Sequence, residues 1–155
     1  MKRLFLFLSL AACAAPLPAQ PVQLKSFDEL VSALKAGESV RAVIRYGKCL
    51  LISDNDTLAA PDATGGMAIA AWELFAKGAV RNPLAFLSAS ETVLIGGKKS
   101  HVYNYAKLKL YEDGRAEITA RYLEPPKLKV KMDETFYTTI NTGADSGAVY
   151  LYRTR

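Results

Sequence analysis

The chain is short of the residues that most catalytic and metal sites are built from. It holds one histidine, two cysteines and one tryptophan in 155 residues. A zinc site made of several His or Cys ligands is thereby excluded. Any Ser-His-Asp or Cys-His arrangement would have to use His101, which follows Lys98-Lys99-Ser100 in an exposed-looking connection. No glycine loop leaves a strand and opens a helix as a phosphate cradle would, so no cofactor or metal is expected. Charge of one sign is also scarce: 20 Lys and Arg against 15 Asp and Glu give +5. That surplus suits solubility and leaves no nucleic-acid footprint. Internal repeats, heptads and low-complexity tracts are absent.

What the chain does have begins at its start. Lys2 and Arg3 precede an apolar run, Leu4 to Leu10, and Pro16 to Ala19 offer a small-residue exit. This is the layout of a secretory leader. The run is far short of the ~20 residues a spanning helix needs, so no membrane span is expected. Cleavage after Ala19 would leave Gln20 at the N-terminus of a periplasmic or secreted protein. Leu10-Ala11-Ala12-Cys13 can also be read as a lipobox that tethers the chain through Cys13. The expected organisation is a leader over 1–19, a tether over 20–25 and one domain over 26–155. About 136 residues then remain, enough for one core. Cys49 becomes the one cysteine of the domain, so no disulfide framework is available. Its apolar setting suggests a buried thiol; an intermolecular disulfide or a reactive thiolate beside Lys48 are the sharper alternatives.

The periodicity predicts an α+β, β-rich fold: one N-terminal helix, then an antiparallel meander of about seven strands forming a curled sheet or barrel. Ser26 can cap the helix and Glu29 can close a capping box; Phe27, Leu30, Val31 and Leu34 share a face, and Gly37 stops it. From Ser39 the period becomes two, in a strand expected to run on into Leu50–Ile52. Ser53 to Gly66 reads as a long polar loop, Met67 to Phe75 as a second strand with Trp72, for which Ala68, Ala70 and Ala71 keep a helical alternative open, and Ala85 to Ile95 as a third. Around Glu112-Asp113-Gly114 a three-residue hairpin loop with Gly114 left-handed sets Leu110 against Ala116, Leu108 against Ile118 and Tyr105 against Arg121. A two-residue loop would set apolar residues against charged ones, so the bulged register is favoured. Leu128 to Ile140 and Ala148 to Arg153 supply the last strands.

Candidate functional residues are few. Asp54, Asp56 and Asp62 offer oxygen ligands, but they lack the glycine and terminal glutamate of a calcium loop and read as a solvated turn. Lys127, Lys129 and Lys131 alternate with Leu128, Val130 and Met132. The lysines are expected on the wet face of a strand, as an edge-protecting row rather than an anion- or membrane-binding stripe. Asp133 and Glu134 must point to opposite faces. Glu134 is expected inward with Phe136, paired with an arginine or lysine, or serving as a ligand-binding or catalytic carboxylate. Of the eight tyrosines, all but Tyr46 lie from position 103 onward. Tyr103, Tyr105 and Tyr111 share the polar hairpin face with Arg121, either by strand propensity or as an aromatic binding platform.

Phe27-Asp28-Glu29-Leu30, Val40-Arg41 through Tyr46 to Cys49, Pro61-Asp62 with Gly65-Gly66-Met67, and Trp72-Glu73 resemble the opening of the VirK family. Val102-Tyr103-Asn104-Tyr105, Tyr111 to Gly114 and Glu117 to Leu123 resemble its middle; Lys131 to Tyr137 and Gly147 to Tyr152 resemble its end. The resemblance implies a small exported bacterial protein and transfers no catalytic residue. The expected function is non-enzymatic binding of a small molecule, glycan or protein, with a link to host interaction left open. Tyr103, Tyr105, Tyr111, Arg121 and Glu134 are the candidate ligand-binding residues. The alternatives are an enzyme using Glu134, Asp133 or His101, and a lipid-tethered envelope protein.

Overall fold

The computed structural model describes residues 20–53, 56–96, 101–143 and 147–154. The leader, Cys13, Asp54 and Lys98 to Ser100 therefore lie outside the described residues. The helix α1, Phe27–Lys35, forms as expected. The Ser26 Oγ accepts from the Glu29 N–H at 3.1 Å, and the Glu29 carboxylate reaches back to the Lys25 N–H at 2.7 Å. Gly37 (φ 76°) ends the helix, with its N–H on the Leu34 carbonyl and the Glu38 N–H on that of Ala33. Both bonds together make a Schellman cap.

Among the described residues eleven strands accompany this helix, where about seven were expected. Val22–Leu24 (β1), Ser39–Arg45 (β2), Thr64–Ala68 (β5) and Val149–Thr154 (β11) form a four-stranded antiparallel sheet in the order β1-β11-β2-β5. Leu50–Ser53 (β3), Asp56–Leu58 (β4), Trp72–Phe75 (β6), Phe86–Gly96 (β7), His101–Tyr111 (β8), Arg115–Glu124 (β9) and Lys129–Thr139 (β10) form a seven-stranded one, β4-β3-β10-β9-β8-β7-β6. Neither sheet closes into a barrel among the described residues. The run from β6 to β10 is the expected meander.

The extra strands come from segments too short to show a period. The presumed tether carries β1, whose Leu24 is buried as β1 pairs with β11. The presumed single strand from Ser39 to Ile52 breaks at Tyr46–Lys48, where a 3-10 turn passes the chain from one sheet to the other. The segment Met67 to Phe75 breaks likewise: the Ile69 N–H still bonds the Val40 carbonyl, and then Ala70-Ala71 turn the corner into β6. The presumed loop 53–66 contains β4 and the start of β5.

One core joins α1 to the facing sides of both sheets, with Leu30, Leu87, Leu108, Leu110, Ile118, Val149 and Leu151 fully buried. The hairpin register is Leu110↔Ala116, Leu108↔Ile118, Tyr105↔Arg121, with Gly114 at φ 85°. The core ends at the cross-strand row Ala89–Leu108–Ile118–Phe136. Strands β7 to β10 run on past it, leaving both faces of that end open to solvent. Leu128 and Val130 are consequently 54% and 50% exposed alongside the exposed Lys127, Lys129 and Lys131. The expectation that only the lysines would be wet fails there because no second layer covers the other face.

Candidate functional site

The register distributes the candidate residues over three places. On the outer face of the seven-stranded sheet, Tyr105 and Arg121 lie side by side, with Tyr103 one row further toward the open end. Arg121 is already engaged: its Nε donates to Asp133 at 2.9 Å, and that bond raises the guanidinium's proton affinity. Tyr111 shares this face but lies six residues from Tyr105, about 20 Å along an extended strand. Glu134 lies on the inner face in the row Glu134–Ala120–Ala106–Glu91, half-buried and without an ion-pair partner among the described residues. Asp133, not Glu134, holds an arginine. The backbones of the two glutamates in that row are three strand spacings, about 14 Å, apart.

His101 opens β8 opposite Gly96 and is exposed. It sits in no common place with Asp133 or Glu134, which themselves face opposite ways. Asp56 and Asp62 are both exposed, and no three His, Cys, Asp or Glu side chains gather as metal ligands among the described residues. Cys49 is half-buried rather than buried, its Sγ 3.6 Å from the Arg45 carbonyl. Burial pushes the thiol's pKa up, partly offset by a hydrogen bond with Thr138. Beside it Tyr46 packs edge-on against Phe136, with ring centroids 4.8 Å apart, and its ring lies where a Cβ on Gly65 would have to be. Burial, then the neighbouring Cys49 and Tyr122, raises the Tyr46 pKa.

Tyr111 lines a groove on the outer face. The groove has a volume of about 470 Å³ and is lined among others by Val80, Phe86, Lys109, Arg115, Glu117 and Tyr137. That volume lies in the range of small-molecule sites. The floor follows from the register, which brings Phe86 beside Tyr111 and Lys109 beside Glu117, next to Tyr137. Lys109 Nζ stands 4.2 Å from the Phe86 ring centre and 4.9 Å from that of Tyr111; the Arg115 guanidinium is 5.4 Å from the latter. The Tyr111 hydroxyl donates to Glu117 at 3.3 Å. Lys109, Arg115 with its Nε held by Asp113 at 2.7 Å, Glu117 and the exposed face of Tyr137 thus meet over a stacked Phe75–Phe86 pair, with centroids 4.7 Å apart.

The groove wall is the segment 76–85, which periodicity does not register. Asn82 holds it closed: its Nδ2 donates to the Ala76 and Leu84 carbonyls at 2.9 and 2.7 Å, and its Oδ1 accepts from the Val80 N–H at 3.0 Å. Gly78 (φ 83°) and Arg81 (φ 64°) supply the left-handed turns this clasp needs. Gly78 and Asn82-Pro83 are the signals that mark the turn in the sequence. The bulged hairpin register also sets Lys109 against Glu117, but their role in a groove depends on the wall.

Comparison with known proteins places the chain. The VirK protein family model matches residues 23–128, more than half of the chain. The chain belongs to the VirK family. Among solved structures it is similar to a VirK family protein from Legionella pneumophila: TM-score 0.64 at 17% identity, covering 84% of this chain and 98% of that one. At that identity the likeness speaks for the fold. No curated protein matches the chain. The family match takes in Tyr103, Tyr105, Tyr111 and Arg121, while Glu134 lies beyond its end. No helix among the described residues of this VirK protein is long and apolar enough to cross a membrane.

Proposed function

We propose that this VirK protein is a non-enzymatic binding protein whose ligand is a saccharide-sized molecule seated in the Tyr111 groove. The observation that carries the reading is the convergence there of Lys109, Arg115 and Glu117 on the rings of Phe86, Tyr111 and Tyr137. An exposed ring offers a stacking face to the apolar side of a sugar, and cations beside it can hold hydroxyl or carboxylate groups. Among the described residues the groove lining contains no His, Cys or Ser, and its threonine, Thr138, accepts from the Ala148 N–H at 3.1 Å. The proposed setting is the periplasm or the exterior, on the strength of Lys2, Arg3, the apolar run and the small-residue exit after Pro16.

Titration of the folded protein with neutral and uronic-acid oligosaccharides tests the binding reading, with Lys109→Ala and Tyr111→Ala expected to weaken binding by about tenfold or more. Binding that survives both substitutions would refute the assignment of the groove. Intact mass of the exported chain tests the setting: a chain beginning at Gln20 is expected, and a lipidated Cys13 would replace the soluble form with a tethered one.

A further inference from the structure

The open end of the seven-stranded sheet carries an apolar tip that the core does not use. Val93, Leu94, Leu128 and Val130 are each 44–57% exposed. Pairing joins Leu94, Tyr103, Leu123 and Val130 into one continuous row across β7 to β10 on the outer face. Val93 belongs to the opposite face, in a row with Asn104, Tyr122 and Met132, and Leu128 stands in the turn between β9 and β10. Apolar side chains therefore occupy both faces and the turn of one edge. A folded protein partner laid against a sheet covers one face only. Insertion of the edge itself into an interfacial layer would cover both.

The charges at the same edge select what that layer is. Lys127 and Lys129 are exposed and have no ion-pair partner among the described residues. Lys131 is held by Glu124 at 2.9 Å, and Arg121 by Asp133. Glu124 and Asp133 are thus matched, Glu134 and Glu91 stand one inner-face row further from the tip, and the unmatched charge at the turn itself is cationic. Tyr103 adds a ring with a polar end of the kind that sits at headgroup depth. We infer that this end of the sheet is a peripheral docking tip for an anionic lipid surface, with Leu94, Leu128 and Val130 entering the headgroup boundary and Lys127 and Lys129 facing the anionic groups. Apolar burial and charge attraction add in such a contact.

The groove at Tyr111 lies at the other end of the strands, so the two sites can fail independently. The test is co-sedimentation of the exported chain, its N-terminus fixed by intact mass, with phosphatidylcholine vesicles with and without phosphatidylglycerol. Binding to the anionic vesicles is expected, weakening as salt is raised. Lys127→Glu with Lys129→Glu should lower partitioning by more than about tenfold, and so should Leu94→Asp with Leu128→Asp. Leu58→Asp, an exposed apolar position on the edge strand β4, should leave it unchanged. If Leu94→Asp disturbs the melting curve, Leu128→Asp alone, in the turn, serves in its place. Three results would overturn the inference: no binding to anionic vesicles at low salt, binding undiminished by the aspartate variants, or tip variants that abolish capture of a soluble protein while vesicle binding is absent.

Discussion

Two side chains at the corner between the sheets tie the stability of the fold to alkaline pH. Cys49 and Tyr46 both hold their protons more tightly folded than unfolded, because burial disfavours the thiolate and the phenolate. Groups with raised folded pKa values contribute stability that is complete below their ordinary values and is lost as pH rises through the folded ones. The melting temperature should therefore fall as pH climbs above the ordinary thiol value of 9.0. Cys49→Ala should flatten the first part of that fall, as read by circular dichroism melts across the alkaline range. An unchanged slope in Cys49→Ala would remove the thiol from this account. Gly147 makes a second residue-scale case. A Cβ there would run into the carbonyl oxygens of Thr139 and Ile140, both backbone atoms. Beside it the buried Asn141 donates to the Gly147 carbonyl at 3.0 Å and accepts from the Gly143 N–H at 2.8 Å. Gly147→Ala should cost about 2–3 kcal/mol in denaturant unfolding, since backbone cannot yield as a side-chain tip can.

Among the elements, those with strong local chemistry were readable in advance and those made by corners were not. Helix α1 announced its cap, its face and its glycine stop, and the β8–β9 hairpin announced its bulged register, because each is decided by neighbours in sequence. Ser26→Ala should lower stability by about 1 kcal/mol through loss of the bond to the Glu29 N–H. The breaks at Tyr46–Lys48 and Ala70-Ala71 were invisible. An alternating pattern reads the same whether the strand stays in its sheet or crosses to the next. The wall of the groove was hidden for a related reason: segment 76–85 has no period, and it is held by the Asn82 side chain together with backbone turn bonds such as Gly78 N–H to the Asn82 carbonyl at 2.9 Å. Asn82→Ala removes three side-chain bonds and should loosen the wall. A stability loss of about 1–3 kcal/mol is expected together with weakened ligand binding. Faster amide exchange confined to 76–85 would locate the effect.

For the molecule as a whole, strand alternation tells which residues share a face but not where a second layer stops. Lys127, Lys129 and Lys131 illustrate the gap: their alternation with Leu128, Val130 and Met132 looks half-buried, yet the sheet there extends past its core. The same extension explains why Tyr103, Tyr105 and Tyr111, one face in sequence, divide between an open end and a walled groove. Family membership was legible from motifs spread along the chain, among them the Tyr111 to Gly114 turn and the strand residues that follow it. The site depends on what is stacked above the strands, and so it emerged only from the three-dimensional arrangement.

The proposed ligand site is the Tyr111 groove. Amide-resolved NMR of the folded protein, titrated with neutral and uronic-acid oligosaccharides, decides whether a saccharide sits there. Saturable shifts are predicted at Lys109, Tyr111, Arg115 and Tyr137, and they should vanish in Lys109→Ala. Saturable shifts centred instead on Glu134 and Tyr122 of the inner face, or no saturable response at the groove across the panel, would contradict it.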